Sequence, residues 1–194
     1  MKKILVLYYS RKGSTNALAN HAARGVESVG LEAVMRSLPS IASDNNSKSI
    51  EDNPSKGAPF ASLNDLKNCD GLLLGSPTRF GNMAAPVKFF LDQTSSIWLE
   101  GSLIDKPFGL FTSSNSMHAG QETTLLTMAI PLIHHGMIWV GLPYTEKALK
   151  ETKTGGSPYG ASHVALDWNK SLSEDEKSLA FILGKRVAGL ALKL

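Results

Sequence analysis

The first apolar stretch of the chain, Ile4-Leu5-Val6-Leu7-Tyr8-Tyr9, is continuous rather than alternating. A strand with one face in water alternates, so an unbroken run belongs to a strand covered on both faces, as in the middle of a parallel sheet. Beyond the polar stretch Ser10 to Thr15, Leu18, Ala22, Val26 and Val29 recur at helical spacing and share one face, and Gly30 is placed to stop that helix. The same order then repeats. Leu31 to Arg36 reads as a second strand, Gly71 to Gly75 as a third, Met83 to Leu91 as a helix and Phe108 to Thr112 as a fourth strand. Gln121 to His135 follows as a helix, Met137 to Val140 as a fifth strand and Glu174 to Leu192 as the closing helix. Strands and helices taking turns specify an α/β fold with right-handed crossovers. In the last helix Ser173 and Glu176 have capping-box spacing, Glu174 and Asp175 fill the first turn, and Lys185, Arg186 and Lys193 lie toward its end.

Two stretches lack such periodicity: 39–63, rich in Ser, Asn, Pro and Gly, reads as a long loop or insertion, and 141–172 as an irregular segment. With 194 residues, 42% of them hydrophobic, the chain can bury one sizeable core, so a single domain carrying both segments is expected. Lys and Arg number 20 against 17 Asp and Glu, and no more than two basic residues adjoin, which disfavours a nucleic-acid partner. The single cysteine, Cys69, excludes an internal disulfide and reads as a small core residue; no secretory leader pattern opens the chain, so a cytoplasmic location is expected. No apolar run approaches the roughly 20 residues of a membrane span. The sequons Asn45-Asn46-Ser47 and Asn169-Lys170-Ser171 are short enough to arise by chance.

Ligands of a doubly wound sheet bind beyond the carboxyl ends of the strands, where the strand order reverses. Three loops meet there. Ser10, Arg11, Lys12, Gly13, Ser14 and Thr15 offer hydroxyls, backbone N–H groups and a helix amino end to a phosphate, although an ordinary connection capped by Ser14 or Thr15 has the same composition. Gly75 to Asn82 combines turn formers with an aromatic and a cation, and Ser113 to Gly120 is dense in small hydrogen-bonding residues. Neither the G-x-x-x-x-G-K-[ST] nor the G-x-G-x-x-G signature is present, which argues against ATP or GTP hydrolysis. His134 and His135 point about 100° apart on a helix with no third ligand at metal spacing, so no metal centre is expected.

The chain resembles the flavodoxin-like NAD(P)H:quinone oxidoreductases of the WrbA type. The resemblance is carried by Val6-Leu7-Tyr8-Tyr9-Ser10, Gly75-Ser76-Pro77-Thr78-Arg79-Phe80-Gly81-Asn82-Met83, Phe90-Leu91-Asp92-Gln93-Thr94, Gly120-Gln121-Glu122, His134-His135-Gly136-Met137, Gly156-Ser157-Pro158-Tyr159-Gly160-Ala161 and Val187-Ala188-Gly189-Leu190-Ala191. It implies a five-stranded sheet of order 2-1-3-4-5, non-covalent FMN, NADH or NADPH as electron donor, and hydride transfer to a quinone by a ping-pong mechanism. It also implies a homotetramer. By motif, Ser10 to Thr15 hold the FMN phosphate, and Pro77, Thr78, Arg79, Phe80 and Gly81 line the flavin ring. Ser113, Ser114, Asn115, Ser116, Met117 and His118 contact its polar edge and ribityl chain, with His134 a further contact. Trp98 and His134 edge the substrate site. No protein side chain is a certain catalyst, since a flavin performs the hydride chemistry; His118 and His134 are the candidate polar groups.

Two positions depart from the family pattern. Lys12 stands where the family usually has an aromatic, and a cation there favours the extra phosphate of NADPH. Asn115, Ser116, Met117 and His118 occupy a loop that is usually glycine-rich. Two other readings compete: a flavodoxin-like electron carrier, against which the net charge of +3 argues, and a non-catalytic regulatory or scaffold relative.

Overall fold

The apolar run near the amino end forms β1 (Lys3–Tyr8), in which Ile4 to Tyr8 are all buried. It lies between β2 (Glu32–Ser37) and β3 (Gly71–Arg79) and runs parallel to both. In this computed structural model residues 1–41, 57–166 and 171–194 are described. Both sequons and most of the 39–63 stretch therefore lie outside the described residues, at least in part.

Next to β3 runs β5 (Pro107–Ser114), again parallel and buried throughout. Its far side is shared by two short strands: β6 (Ile138–Trp139) pairs with its first residues and β7 (Ala161–Val164) with its last four. A two-residue β4 (Asn82–Met83) turns back antiparallel onto the end of β3. The sheet thus has seven strands rather than five, and the expected order 2-1-3-4-5 becomes β2-β1-β3-β5-β6 once β4 is counted in the chain. β7 comes from the segment read as irregular. Its four residues ASHV are too few to show a period, and the sheet rather than the local sequence selects them.

Alternation along β1 divides the interior in two. Ile4, Val6 and Tyr8 point toward α1 (Ser14–Glu27) and α7 (Glu174–Ala191), meeting Leu18, Ala22, Val26, Leu179, Leu183 and Val187. Leu5 and Leu7 point the other way, with α3 (Ala85–Asp92) and α5 (Gln121–His134) supplying Val87, Leu91, Leu125, Met128 and Leu132. α1 and α7 touch backbone to backbone, because any Cβ on Gly184 would collide with the Ala22 carbonyl oxygen.

Three short helices complete the elements among the described residues: α2 (Leu63–Lys67), opened by a capping box between Ser62 and Asp65, α4 (Ser95–Leu99) and α6 (Lys147–Glu151). The expected helix from Met83 begins two residues later, since Met83 is taken up by β4 and Pro86 suits a first helical turn. Ser173 and Glu176 form the capping box that their spacing suggests. Cys69 is buried with its thiol donating to the Leu66 carbonyl at 3.1 Å, and burial pushes that thiol up to about 11. Among the described residues no helix is long and apolar enough to cross a membrane.

Candidate functional site

The carboxyl ends of β1, β3 and β5 open onto a cavity of about 630 Å³. The first wall is the β1–α1 turn. Gly13 adopts a left-handed conformation (φ 94°) that lets the chain turn into the helix, and Ser10 Oγ accepts from the amides of Gly13 (3.1 Å) and Asn16 (3.3 Å). As the first residues of α1, Ser14 and Thr15 have backbone N–H groups with no intrahelical acceptor. Thr15, almost fully buried, ties this wall to the opposite one through a 2.9 Å hydroxyl contact with Ser113.

The second wall is not the open loop that its turn formers suggest. β3 continues through Ser76 and Pro77 to Arg79, and Phe80-Gly81 make a two-residue hairpin into β4. Both turn residues have positive φ, 53° and 76°, as a type I′ turn requires. Glycine accepts this freely; phenylalanine does so at a cost. The result is a Phe80 side chain as exposed as in an extended peptide, at 107% of the reference value, on the lip of the cavity. Ser76, missed in the sequence, anchors the hairpin from beneath: its hydroxyl accepts from the Ala84 amide at 2.8 Å, and its carbonyl accepts from Thr112 at 2.7 Å. Thr78 donates to the Ala119 carbonyl (3.2 Å) and shares a 2.7 Å hydroxyl contact with Thr124. These bonds join the second wall to the third.

The third wall begins within β5, since Ser113 and Ser114 are its last residues, and continues through Asn115 and Ser116. Gln121, also missed as a site residue, sets its shape. Its amide nitrogen reaches Ser114 Oγ (2.8 Å) and the carbonyls of Ser116 (2.7 Å) and Met117 (2.9 Å), while its oxygen accepts from Ala119 N (3.1 Å). Its prior signals are the Gly120-Gln121-Glu122 segment of the resemblance and its place at the first position of a helix, where an amide can reach back over the loop. Ala119 and Ala165 complete the lining.

Behind this wall β7 is locked in place by a buried carboxylate. Glu176 accepts from the amides of Gly155 (2.9 Å), Val164 (3.1 Å) and Ser173 (2.8 Å), and from His163 Nδ1 at 2.8 Å. Burial alone would raise its pKa. The hydrogen bonds from His163 and the three amides outweigh that and hold it at about 2.

The structure therefore gathers Ser10, Arg11, Lys12, Ser14, Thr15, Pro77, Thr78, Arg79, Phe80, Ser113, Ser114, Asn115 and Ser116 around one cavity, with the backbone of Gly13 and Gly81 shaping its turns. It places four expected residues elsewhere. Met117 and His118 face a separate depression with Gly155, Gly156 and Ser157, because Gln121 turns the loop after Ser116. Trp98 and His134 meet each other, the indole N–H donating to the His134 carbonyl at 2.9 Å, in a groove of about 570 Å³ on the outer side of α3, α4 and α5. They do not reach the cavity within one chain. His135 beside them is buried against the Thr94 hydroxyl at 2.8 Å, and burial first, then the neighbouring His134, lowers its pKa.

The cavity suits a flat anionic cofactor. Arg11, Lys12 and Arg79 line it without any Asp or Glu, the amino end of α1 faces it, and Asn115 Oδ1 is buried with no hydrogen-bond partner among the described residues. A phosphate matches the first wall and a heterocycle edge matches Asn115. The model of the NADPH-dependent FMN reductase family matches residues 2–146.

The chain belongs to that family. Membership brings FMN as the bound cofactor and NAD(P)H as the reductant of this flavodoxin-like fold. Among solved structures it is similar to a WrbA-like flavodoxin from Agrobacterium tumefaciens, with 23% identity, a TM-score of 0.70, and coverage of 100% of this chain and 99% of the other. A flavodoxin from the domain Archaea matches with 18% identity and a TM-score of 0.64 over 98% and 99% of the two chains. A flavone reductase matches with 15% identity and a TM-score of 0.64 over 98% of this chain and 63% of its own.

Proposed function

We propose that the protein is an FMN-dependent NAD(P)H:quinone oxidoreductase of the WrbA type, a cytoplasmic NAD(P)H dehydrogenase (quinone) acting by a ping-pong mechanism. The observation that carries this reading is the cavity beneath Phe80, lined by three cations and, among the described residues, no carboxylate, and built from three loops that the cross-links Thr15–Ser113 and Thr78–Ala119 hold together. Likeness to the WrbA-like structure over both full chains agrees with it.

Bound flavin supplies hydride acceptance and hydride donation. The chain's part is positional. Ser10, Arg11, Lys12 and the N–H groups of Ser14 and Thr15 would hold the phosphate; Pro77 to Phe80 would line the ring; Ser113 to Ser116 would offer hydroxyl, amide and backbone groups to its polar edge. One slot serves donor and acceptor in turn.

Trp98 and His134 enter this scheme through assembly. Trp98, Leu99, Ile130 and Ile133 are each more than half exposed around α4 and α5, an apolar stretch of the kind that association buries. A homotetramer covers that surface and carries the Trp98–His134 pair to the flavin cavity of a neighbouring copy.

The test is anaerobic oxidation of NADH and NADPH with benzoquinone as acceptor, with and without added FMN. Turnover that needs both FMN and quinone, with parallel double-reciprocal lines, supports the reductase. Flavin binding without turnover moves the reading to an electron carrier; no flavin binding moves it to a scaffold.

A further inference from the structure

A second cavity, about 820 Å³, adjoins the flavin cavity. Arg11 and Arg79 line both and so form the ridge between them. Its other walls are Tyr9 at the end of β1, Ser40 beyond β2, and the first two turns of α3 with Lys88 and Phe89. The Tyr9 and Ser40 hydroxyls lie 3.2 Å apart, which fixes the tyrosine ring.

The electrostatics of this cavity are one-sided. Arg11, Arg79 and Lys88 face it, and among the described residues its single carboxylate, Asp92, is the i+4 ion-pair partner of Lys88. Arg79 holds its guanidinium near the ridge by donating to the Thr78 carbonyl at 2.8 Å. The amino end of α3 opens into the same space with no side-chain cap and no acidic residue in its first turn, adding to the positive potential. Phe89, 59% exposed, presents an apolar ring beside these cations. Flat aromatic surface next to clustered cations is the chemistry that holds a phosphorylated nucleoside.

We propose that this cavity receives the phosphorylated adenosine end of NADPH, the 2′-phosphate on Lys88 and Arg79, while the nicotinamide end crosses the Arg11–Arg79 ridge into the flavin cavity. The inference rests on the reductase reading above and adds to it a binding site and a basis for donor choice. NADH presents a neutral 2′-hydroxyl where NADPH presents a phosphate of nearly two charges, so Lys88 and Arg79 separate the two donors. Of these, Lys88 is the cleaner probe, because it lies outside the flavin cavity; it also borders the Trp98–His134 groove, so the readout is donor-probe binding rather than quinone turnover.

The experiment is calorimetric titration of the FMN-loaded protein with 2′,5′-ADP and with 5′-AMP, which differ only in the 2′-phosphate. The wild-type protein binds 2′,5′-ADP about tenfold or more tightly than 5′-AMP, the range of one to two charge-assisted hydrogen bonds. Lys88→Ala removes most of that preference and Lys88→Glu removes all of it, while retained flavin absorbance shows that both variants fold. The NADPH-to-NADH preference in stopped-flow flavin reduction falls by the same factor. Equal affinity for the two probes, or a 2′,5′-ADP affinity indifferent to Lys88→Glu, overturns the proposal. If neither dinucleotide reduces the flavin, the reductase reading fails; Lys88-dependent binding of 2′,5′-ADP then upholds the site independently.

Discussion

The two faces of the sheet are finished to different degrees. On one, α1 and α7 approach until Gly184 abuts the Ala22 carbonyl, the apolar residues between them are sealed, and the buried Glu176 fastens β7 to the start of α7. On the other, α3, α4 and α5 cover the core but leave Trp98, Leu99, Ile130 and Ile133 in solvent. The first face spends its apolar surface within the chain. The second has surface to spare, and surplus of that kind is what association buries. The cavity lies along the edge where the two faces meet, drawing Thr15 from the closed side and Thr78 and Thr124 from the open side.

The closed face contains the change with the largest expected effect. Glu176→Gln leaves His163 and three amides facing a neutral group, and loss of one partner from a buried charged network costs about 3–5 kcal/mol. Its pH signature identifies it. The carboxyl titrates at about 2 in the folded chain and near 4.3 when unfolded, so its contribution is fully present above the unfolded value and is lost as pH falls toward 2. Unfolding free energies of the wild-type protein from urea titration should therefore fall between about pH 5 and pH 2 by roughly 3 kcal/mol more than those of Glu176→Gln. Equal slopes in that window would show that Glu176 is not held as described. Gly184→Ala comes next: helix propensity favours alanine, but the added methyl must force α1 and α7 apart, at about 1–3 kcal/mol in chemical denaturation.

The sequence was most legible where one element satisfies itself. The continuous run of β1, the 3–4 spacing of Leu18, Ala22 and Val26, and the Ser173–Glu176 box all appear in the structure, because burial on both faces, one-face periodicity and capping are local rules. What escaped was decided across the chain. β7 exists because β5 offers an edge; Glu176 is a capping residue by spacing, yet its burial and its pairing with His163 depend on β7 being there. For the cavity, loop composition pointed to the right three segments but not to their ends. Nothing near Met117 and His118 announces that Gln121 turns them outward, and nothing near Trp98 shows that α4 carries it away from the cavity. The hairpin at Phe80 escaped for the opposite reason: Phe-Gly is a poor type I′ sequence, so the turn is imposed by the pairing of Thr78 with Met83.

That mismatch supplies a smaller prediction, at the edge between the faces. Phe80 is fully exposed among the described residues, and asparagine tolerates its left-handed backbone far better. Phe80→Asn should raise stability by about 0.5–1 kcal/mol, measured by thermal and urea unfolding, while the apparent KM for the quinone rises several-fold. A loss of stability would mean that the ring is packed after all.

The open face yields the smallest change in folding free energy and the plainest change in assembly. Ile130 and Ile133 are 56% and 52% exposed on α5, so in the isolated chain two glutamates there remove little burial and should shift unfolding by about 0.5 kcal/mol or less each. In a tetramer the same carboxylates would be desolvated against apolar neighbours, a penalty that association cannot offset. Sedimentation velocity of Ile130→Glu/Ile133→Glu should therefore show monomers with an unchanged circular dichroism spectrum. The flavin should stay bound, since the cavity walls come from one chain, yet quinone turnover should fall if, as proposed, the tetramer carries Trp98 and His134 to the cavity of a neighbouring copy. Full turnover by a monomer would detach the Trp98–His134 groove from catalysis and leave the open face with assembly alone to explain it.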